Sequence, residues 1–160
     1  MKKLNFLGIG PKIAVILLPW LAATIVLSCV HIDFFKFSRE GSDTLFIAGI
    51  VLLAIGLAFY FSTVRLLLKG LKESRLMTTG TYGLCQNPLY ASLILMIIPS
   101  LSLLLNSWLI LTSSIVGYFR FRRFIHQEYE ELNGFFGEEY IQYKNRTPEL
   151  FPFLGKKMKK

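Results

Sequence analysis

The sequence predicts an all-α, multi-pass membrane protein with about four transmembrane helices and a C-terminal cytoplasmic helical region of amphipathic character. Three observations predict this class. Hydrophobic residues make up 53% of the 160 residues, a share above that of ordinary soluble domains. They are gathered in long runs, and the net charge of +8 is carried outside those runs. The basic residues therefore predict an anionic membrane surface as their partner and no nucleic acid.

Four segments have the composition of a membrane span, which needs about 20 mostly apolar residues. They are residues 13–30, 44–68, 89–105 and 107–121 of a single membrane domain. Only Asn106 and Ser107 join the last two, so these form an antiparallel hairpin. The start "MKKLNFLGIGPK" resembles a signal peptide, but no small-residue cleavage site follows it. The first segment is therefore interpreted as a retained helix.

The lysines and arginines predict the orientation. With both termini inside, sixteen of them fall on the cytoplasmic side and two, Lys36 and Arg39, fall outside. Cytoplasmic loops carry an excess of basic residues, so the second loop (residues 70–88) and the tail (residues 122–160) share the cytoplasmic face. We expect the plasma membrane of a bacterium. Basic residues at the end of the tail are expected to bind anionic lipids: Lys156, Lys157, Lys159 and Lys160.

The cysteines and the first glycines predict no conventional site. Cys29 and Cys85 lack metal-ligand spacing and lie near opposite membrane faces, so both are predicted to be free thiols. "GIG" at residues 8–10 follows no strand, so it is not interpreted as a dinucleotide-binding motif. Gly49 and Gly56, seven residues apart in the second span, are expected to permit close helix packing.

The stretch "GTYGLCQNPLYAS", residues 80–92, is too polar and irregular to be only a connection. Gly80 suits the end of the second helix, and Pro88 suits the start of the next one. A helix start offers free N–H groups to an anionic group of a ligand, while Tyr82 and Tyr90 are suited to stack on a flat ring. These groups predict a polar, aromatic, zwitterionic cofactor bound beside the lipid.

The C-terminal tail carries most of the acidic residues. Glu128, Leu132 and Phe136 recur at helical spacing and Tyr140 continues the stripe, which predicts an amphipathic helix followed by a second, short one. Two interpretations remain open. The tail is either an interfacial anchor with basic side chains reaching the head groups or a cap over the second loop. In the cap, Glu128 accepts hydrogen bonds from a ribose or an amino group.

In order and spacing, these motifs resemble the isoprenylcysteine carboxyl methyltransferase family of membrane enzymes, which is similar to the phospholipid methyltransferases. The family pattern is a Thr/Ser-Gly-x-Tyr turn, an Arg-His-Pro-x-Tyr motif and a helical hairpin. A Glu-Glu-x-x-Leu stretch, a Phe-Gly-x-x-Tyr-x-x-Tyr motif and a proline segment follow. This chain has "TTGTYGLCQNPLY", "EYEEL" and "FFGEEYIQYKNRTPELFPF", without gaps from about residue 74 to residue 155.

The resemblance implies a methyltransferase that uses S-adenosylmethionine and no metal. Its acceptor would be prenylated or lipid-like, would enter from the lipid between spans, and would be methylated at a carboxylate. Glu128 and Arg123 are the predicted catalytic residues. The predicted cofactor-binding residues are Ser74, Arg75, Leu76, Met77, Tyr82, Asn87, Pro88, Leu89, Tyr90 and Glu128.

Four positions depart from the family pattern. Gln86 stands in the arginine position, Asn87 in the histidine position and Tyr129 in that of the second glutamate. Phe124 stands where the family has an arginine one helical turn before the glutamate, and Arg123 lies beside it. The loss of that arginine and of the second glutamate is interpreted as one coupled change, the loss of an ion pair.

Carboxylate methylation needs no strong base, since a methyl sulfonium is electrophilic and a carboxylate nucleophilic. It needs placement and a dry site. A phospholipid amine is the alternative acceptor, and it would require His126 or Glu128 to remove a proton. Further alternatives are a catalytically degenerate relative with a structural or binding role, a sterol-reductase-like enzyme, which is usually longer, and a transporter, which would need an ionisable residue buried in a span.

Overall fold

The computed structural model describes residues 8–38 and 42–150, and in that part of the chain it contains helices and no strand. The all-α class predicted from the sequence is therefore confirmed. The helices are α1 (Gly10–Val30), α2 (Ile32–Phe35), α3 (Ser42–Glu73), α4 (Thr81–Leu84), α5 (Pro88–Ala91), α6 (Ile98–Leu104), α7 (Trp108–Phe136) and α8 (Glu138–Arg146). A π-helical stretch, Ser92–Ile97, joins α5 to α6. Arg39 and the terminal lysines Lys156, Lys157, Lys159 and Lys160 lie outside the described residues.

Two helices are long and apolar enough to cross a membrane: α1 and Asp43–Glu73 of α3. Only 22% and 11% of the residues in their most apolar stretches are buried inside the protein. Their apolar side chains therefore face outward, over a larger surface than soluble monomers usually expose. The apolar rod Pro88–Leu104 is shorter, so the predicted count of four spans is not confirmed by length and composition.

The second loop begins earlier in the chain than its glycine indicated. The helix end predicted at Gly80 is wrong, because α3 ends at Glu73 and Ser74 takes a left-handed φ of +51°. Gly80 instead precedes α4 with a φ of +64°. A Cβ at this position would lie 2.8 Å from Leu66 Cδ1, so glycine lets the loop return closely along α3. Pro88 begins a helix as predicted.

The last long helix continues well past the predicted fourth span. That span was expected to end near Phe121 and to lead into an amphipathic helix. In the structure both belong to α7, which runs to Phe136 and is followed by Gly137 with a φ of +55°. The residues after Phe121 include many good helix formers, so the change from apolar to charged composition does not interrupt the helix. At about 1.5 Å per residue, Glu128 lies about 10 Å beyond Phe121 along the axis.

The helices α1 and α7 pack side by side through a row of hydroxyl groups. Thr24 Oγ1 lies 3.2 Å from Ser113 Oγ, and Ser28 Oγ lies 2.6 Å from Ser107 Oγ. Hydroxyl hydrogen bonds of this kind contribute to helix association in lipid. The turn between α6 and α7 has Asn106 at a left-handed φ of +45°, in line with the predicted hairpin.

Gly49 and Gly56 face α6 and the π-helical stretch, as predicted for close packing. A Cβ at Gly49 would lie 3.0 Å from the backbone nitrogen of Leu104. A Cβ at Gly56 would lie 2.9 Å from Met96 Cβ. Both separations are shorter than van der Waals contact, so any larger residue forces the two helices apart.

Replacement of Gly56 by alanine is therefore expected to lower the free energy of unfolding by about 1–3 kcal/mol, the usual cost of overpacking. Thermal unfolding of the detergent-solubilised protein measures the change. Gly134→Ala is the matched control, because Gly134 lies inside α7 with nothing within 4 Å of its added Cβ. That variant is expected to be neutral or more stable, by up to about 1 kcal/mol. Equal melting temperatures for the two variants would contradict the packing explanation.

Candidate functional site

A cavity of about 750 Å³ lies between the C-terminal end of α3, the second loop, the second half of α7 and α8. This volume is in the range of small-molecule cofactor sites, about 300–1,000 Å³. All ten residues predicted to bind a cofactor line it: Ser74, Arg75, Leu76, Met77, Tyr82, Asn87, Pro88, Leu89, Tyr90 and Glu128. Arg123 is exposed and is not part of the lining, so the geometry offers it no ligand contact there.

One wall of the cavity forms where the tail folds back over the second loop. The backbone N–H groups of Gln86 and Asn87 donate to the carbonyls of Pro148, at 2.8 Å, and Glu149, at 3.2 Å. The side-chain Nε2 of Gln86 donates to the carbonyls of Lys144, at 3.0 Å, and Thr147, at 2.5 Å. These bonds fasten the C-terminal end of α8 to the loop. The tail therefore packs against the second loop, as the cap interpretation predicts.

Tyr143 bonds the part of the loop just before Gln86 to α8. Its hydroxyl donates to the carbonyl of Tyr82 at 2.7 Å and lies 3.3 Å from that of Cys85. Cys85 itself is fully buried, and this burial raises the pKa of its thiol to about 11. The thiol is therefore protonated at neutral pH and is not a nucleophile. Cys85 and Cys29 are both free, as predicted.

Glu128 lies on the cavity wall beyond the predicted fourth span. The hydroxyl of Tyr90 donates to its Oε2 at 3.1 Å, and the backbone N–H of Ile9 lies 3.5 Å from the same oxygen. Burial raises the pKa of Glu128, with a smaller contribution from the charge of Glu131, while the hydrogen bonds from Tyr90 and Ile9 oppose the rise. The site thus holds a poorly solvated carboxylate, which a cationic or hydrogen-bond-donating ligand would stabilise.

Two of the departures from the family pattern contact each other. Asn87 Nδ2 donates to the hydroxyl of Tyr129 at 2.9 Å and to the carbonyl of Glu149, also at 2.9 Å. The hydroxyl of Tyr129 in turn donates to Glu149 Oε1 at 3.0 Å, and Arg122 forms an ion pair with the same carboxylate. An uncharged amide and a phenol therefore form one hydrogen-bonded unit between the second loop, α7 and the tail.

The structure does not pair the positions that were interpreted as one coupled change. Phe124 lies under the guanidinium of Arg120, 4.6 Å from ring centroid to Cζ, and near the ammonium of Lys12. Tyr129 turns instead toward Asn87. Five residues of helix separate Phe124 from Tyr129, which places them on different faces of α7. Among the departures from the family pattern, Asn87 and Tyr129 are the two that contact each other.

Sequence reasoning missed the part of the lining at the N-terminal end of α1. Gly8 and Gly10 line the cavity and Ile9 is buried, so the "GIG" stretch belongs to the site. No local pattern indicates this, because Ile9 and Glu128 are 119 residues apart. Other lining residues follow the helical stripe of α7, and this spacing could have indicated them from the sequence. They are Glu131, Leu132, Phe135 and Phe136.

The two histidines lie outside the cavity lining. His126 is exposed, with its ring centroid 6.3 Å from that of Tyr129, and His31 is exposed at the end of α1. Within residues 8–38 and 42–150, no group of three or more metal-ligating side chains occurs.

Comparison with known proteins gives a partial similarity. The chain is 33% identical over 79 residues to Protein-S-isoprenylcysteine O-methyltransferase of Mus musculus and equally to that of Rattus norvegicus. The match covers 49% of this chain but only 28% of either relative. No protein-family model matches the chain, and no solved structure matches it significantly. The similarity supports a methyltransferase at the level of the family.

Proposed function

We propose that this chain is an integral-membrane methyltransferase that binds S-adenosylmethionine in the cavity between the second loop, α7 and the tail. The observation that carries the proposal is the single cavity lined by all ten residues that the sequence motifs assign to the cofactor. The partial identity to two isoprenylcysteine O-methyltransferases supports the same reaction class. In this proposal four apolar segments span the plasma membrane of a bacterium, and both termini and the cavity are cytoplasmic.

The chemistry of the lining fits this cofactor. The carboxylate of Glu128 is poorly solvated and suits an ammonium group or the hydroxyls of a ribose. The rings of Tyr82 and Tyr90 offer aromatic faces to a flat base or to a sulfonium, which they attract through their negative faces. Arg75, paired with Glu73 at 2.9 Å, is the basic residue of the described lining and suits a carboxylate.

S-adenosylmethionine, when bound, supplies an activated methyl group. An acceptor carboxylate is ionised at neutral pH and needs no general base, so the residues of this chain have to align the acceptor and exclude water. The apolar part of the lining suits a prenyl or acyl chain that arrives from the lipid: Leu67, Leu71, Leu132, Phe135 and Phe136. The buried, protonated Cys85 takes no part in this reaction.

A phospholipid amine is the second candidate acceptor. The observation that favours it is the presence of two carboxylates in the lining, Glu128 and Glu131, which attract an ammonium head group. Glu128 would then have to take a proton from the ammonium, so that the free amine can attack the methyl group. Phe124 stands at the position of the family's arginine. Its ring contacts the cations of Lys12 and Arg120, and it is not part of the cavity lining. Acceptor screening with labelled methyl groups, using a prenylated cysteine and phosphatidylethanolamine side by side, distinguishes the two acceptors.

Calorimetric titration of the detergent-purified protein with S-adenosylmethionine tests the proposal directly. We expect binding in the micromolar range, about −8 kcal/mol, followed by methyl transfer to one of the two acceptors. Binding without transfer to either acceptor would favour the degenerate relative with a binding role. A well-folded protein that does not bind the cofactor would contradict the proposed function.

The affinity for S-adenosylmethionine is expected to rise with pH across the range in which Glu128 loses its proton. Burial holds the pKa of Glu128 above the ordinary glutamate value, so the neutral acid persists to a higher pH than usual. Only the ionised form attracts a cationic ligand, so binding releases a proton within this range and tightens above it. Titrations in buffers of different ionisation enthalpy measure that proton. Glu128→Gln should give a flat profile, and an unchanged slope in this variant would assign the effect to another group.

A further inference from the structure

We propose that Gly8 and Ile9, in the turn before α1, are positioning residues that hold the carboxylate of Glu128 by one oxygen and leave the other for the ligand. This inference rests on the proposed function for the identity of the ligand. It adds a part of the chain, the N-terminal turn, that lies outside the motifs from which the cofactor-binding residues were predicted.

The hydrogen bonds that reach Glu128 within the described residues end on Oε2. Tyr90 donates its hydroxyl at 3.1 Å, and Ile9 offers its backbone N–H at 3.5 Å. One donor comes from the rod that starts at Pro88 and the other from the turn before α1, so two separate elements fix the orientation of the carboxylate. The remaining oxygen, Oε1, is then the one that accepts a hydrogen bond from an ammonium or hydroxyl group of a ligand.

The N-terminal end of α1 makes this arrangement favourable for a carboxylate. Ile9 is the residue that caps the 21-residue helix α1, and its own side chain provides no capping hydrogen bond. The orphan N–H groups and the positive end of the helix dipole favour a negative charge at this point. Glu128 supplies that charge from α7, so the end of the helix opposes the desolvation of the carboxylate without cancelling it.

Gly8 permits the close approach. It has a left-handed φ of +47°, and a Cβ added to it would lie 2.9 Å from Glu128 Oε2, 3.3 Å from Cδ and 3.6 Å from the hydroxyl of Tyr90. A separation of 2.9 Å is well inside van der Waals contact, so any side chain at this position pushes the carboxylate away from both of its donors. Glycine is thus required by the position of Glu128 as well as by the backbone conformation.

The variant Gly8→Ala tests the inference. It is expected to weaken S-adenosylmethionine binding by about 5- to 10-fold, the effect of a lost or misplaced hydrogen bond. Gly137→Ala is the matched control, since Gly137 also has a left-handed φ, +55°, but its added Cβ meets nothing within 4 Å. The control carries backbone strain without the contact, so its affinity should equal that of the wild type. Equal affinities for Gly8→Ala and the wild type would overturn the inference.

A double-mutant cycle separates positioning from a general structural effect. If Gly8 acts through the carboxylate, Gly8→Ala should cause no further loss of affinity when it is introduced into Glu128→Ala. An equal, additive loss in that background would overturn the positioning role. A general loss of folding would instead lower the melting temperature in both backgrounds.

A measurement without ligand keeps this inference distinct from the proposed function. Hydrogen exchange at the Ile9 amide is expected to be slow in the wild type and in Gly137→Ala, and at least about tenfold faster in Gly8→Ala, because the acceptor is displaced. A wild type that does not bind S-adenosylmethionine but protects this amide would sink the proposed function and leave the contact intact. A fast-exchanging Ile9 amide in the wild type would overturn the contact itself.

Discussion

Replacement of Glu128 by glutamine is expected to weaken S-adenosylmethionine binding by about 10- to 100-fold, the usual effect of losing a hydrogen bond to a charged group. Glutamine has the same shape, so Tyr90 and Ile9 retain an oxygen that accepts their hydrogen bonds. What disappears is the negative charge, and with it the attraction for a cationic ligand. Calorimetry on the purified protein measures the loss.

Glu128→Gln is expected to affect the stability of the protein differently from its affinity for the ligand. Because burial raises the pKa of Glu128, the ionised form costs folding free energy at pH values above that pKa. Removal of the charge at neutral pH should therefore leave the free energy of unfolding unchanged or higher. Glu130→Gln is the matched control, because Glu130 is exposed on the same helix and does not line the cavity. If both variants bind like the wild type, Glu128 is not a ligand-binding residue.

Replacement of Gln86 by leucine is expected to cost about 2–4 kcal/mol of unfolding free energy and to release the tail from the second loop. The amide of Gln86 satisfies the carbonyls of Lys144 and Thr147, and each buried acceptor left without a donor costs about 1–3 kcal/mol. The tail closes one wall of the cavity, so cofactor affinity should fall with stability. Thermal unfolding and limited proteolysis of the tail report the two effects.

Gln142→Leu is the matched control for this experiment. Gln142 lies on α8, the helix whose C-terminal end Gln86 bonds, and its side chain is exposed, so its replacement makes the same change of residue type without removing a hydrogen bond between the tail and the loop. We expect its melting temperature to stay within about 2 °C of the wild type. A tail that resists proteolysis equally in both variants would show that the backbone hydrogen bonds from residues 86 and 87 are sufficient to hold it.

Features that depend on neighbouring residues were accessible from the sequence. Pro88 begins a helix because a fixed φ and a missing N–H suit the first helical turn. The spacing of Gly49 and Gly56 marks one face of a helix, and that face is indeed packed. The prediction that Gly80 ends a helix was wrong because a left-handed glycine can either end one helix or precede the next. Which of the two occurs depends on the contact of the loop with Leu66.

By itself, the sequence determined the helical class and the apolar runs, because these depend on composition and on patterns of a few residues. Its family motifs also predicted ten of the residues that line one cavity. Only the tertiary structure decided the contacts. Asn87 and Tyr129, 42 residues apart, form one polar unit, and Ile9 approaches Glu128 across 119 residues. Such pairs depend on how long helices pack and on where the chain turns back. The exposure of Arg123, which is not part of the cavity lining, was decided in the same way, by the packing of α7.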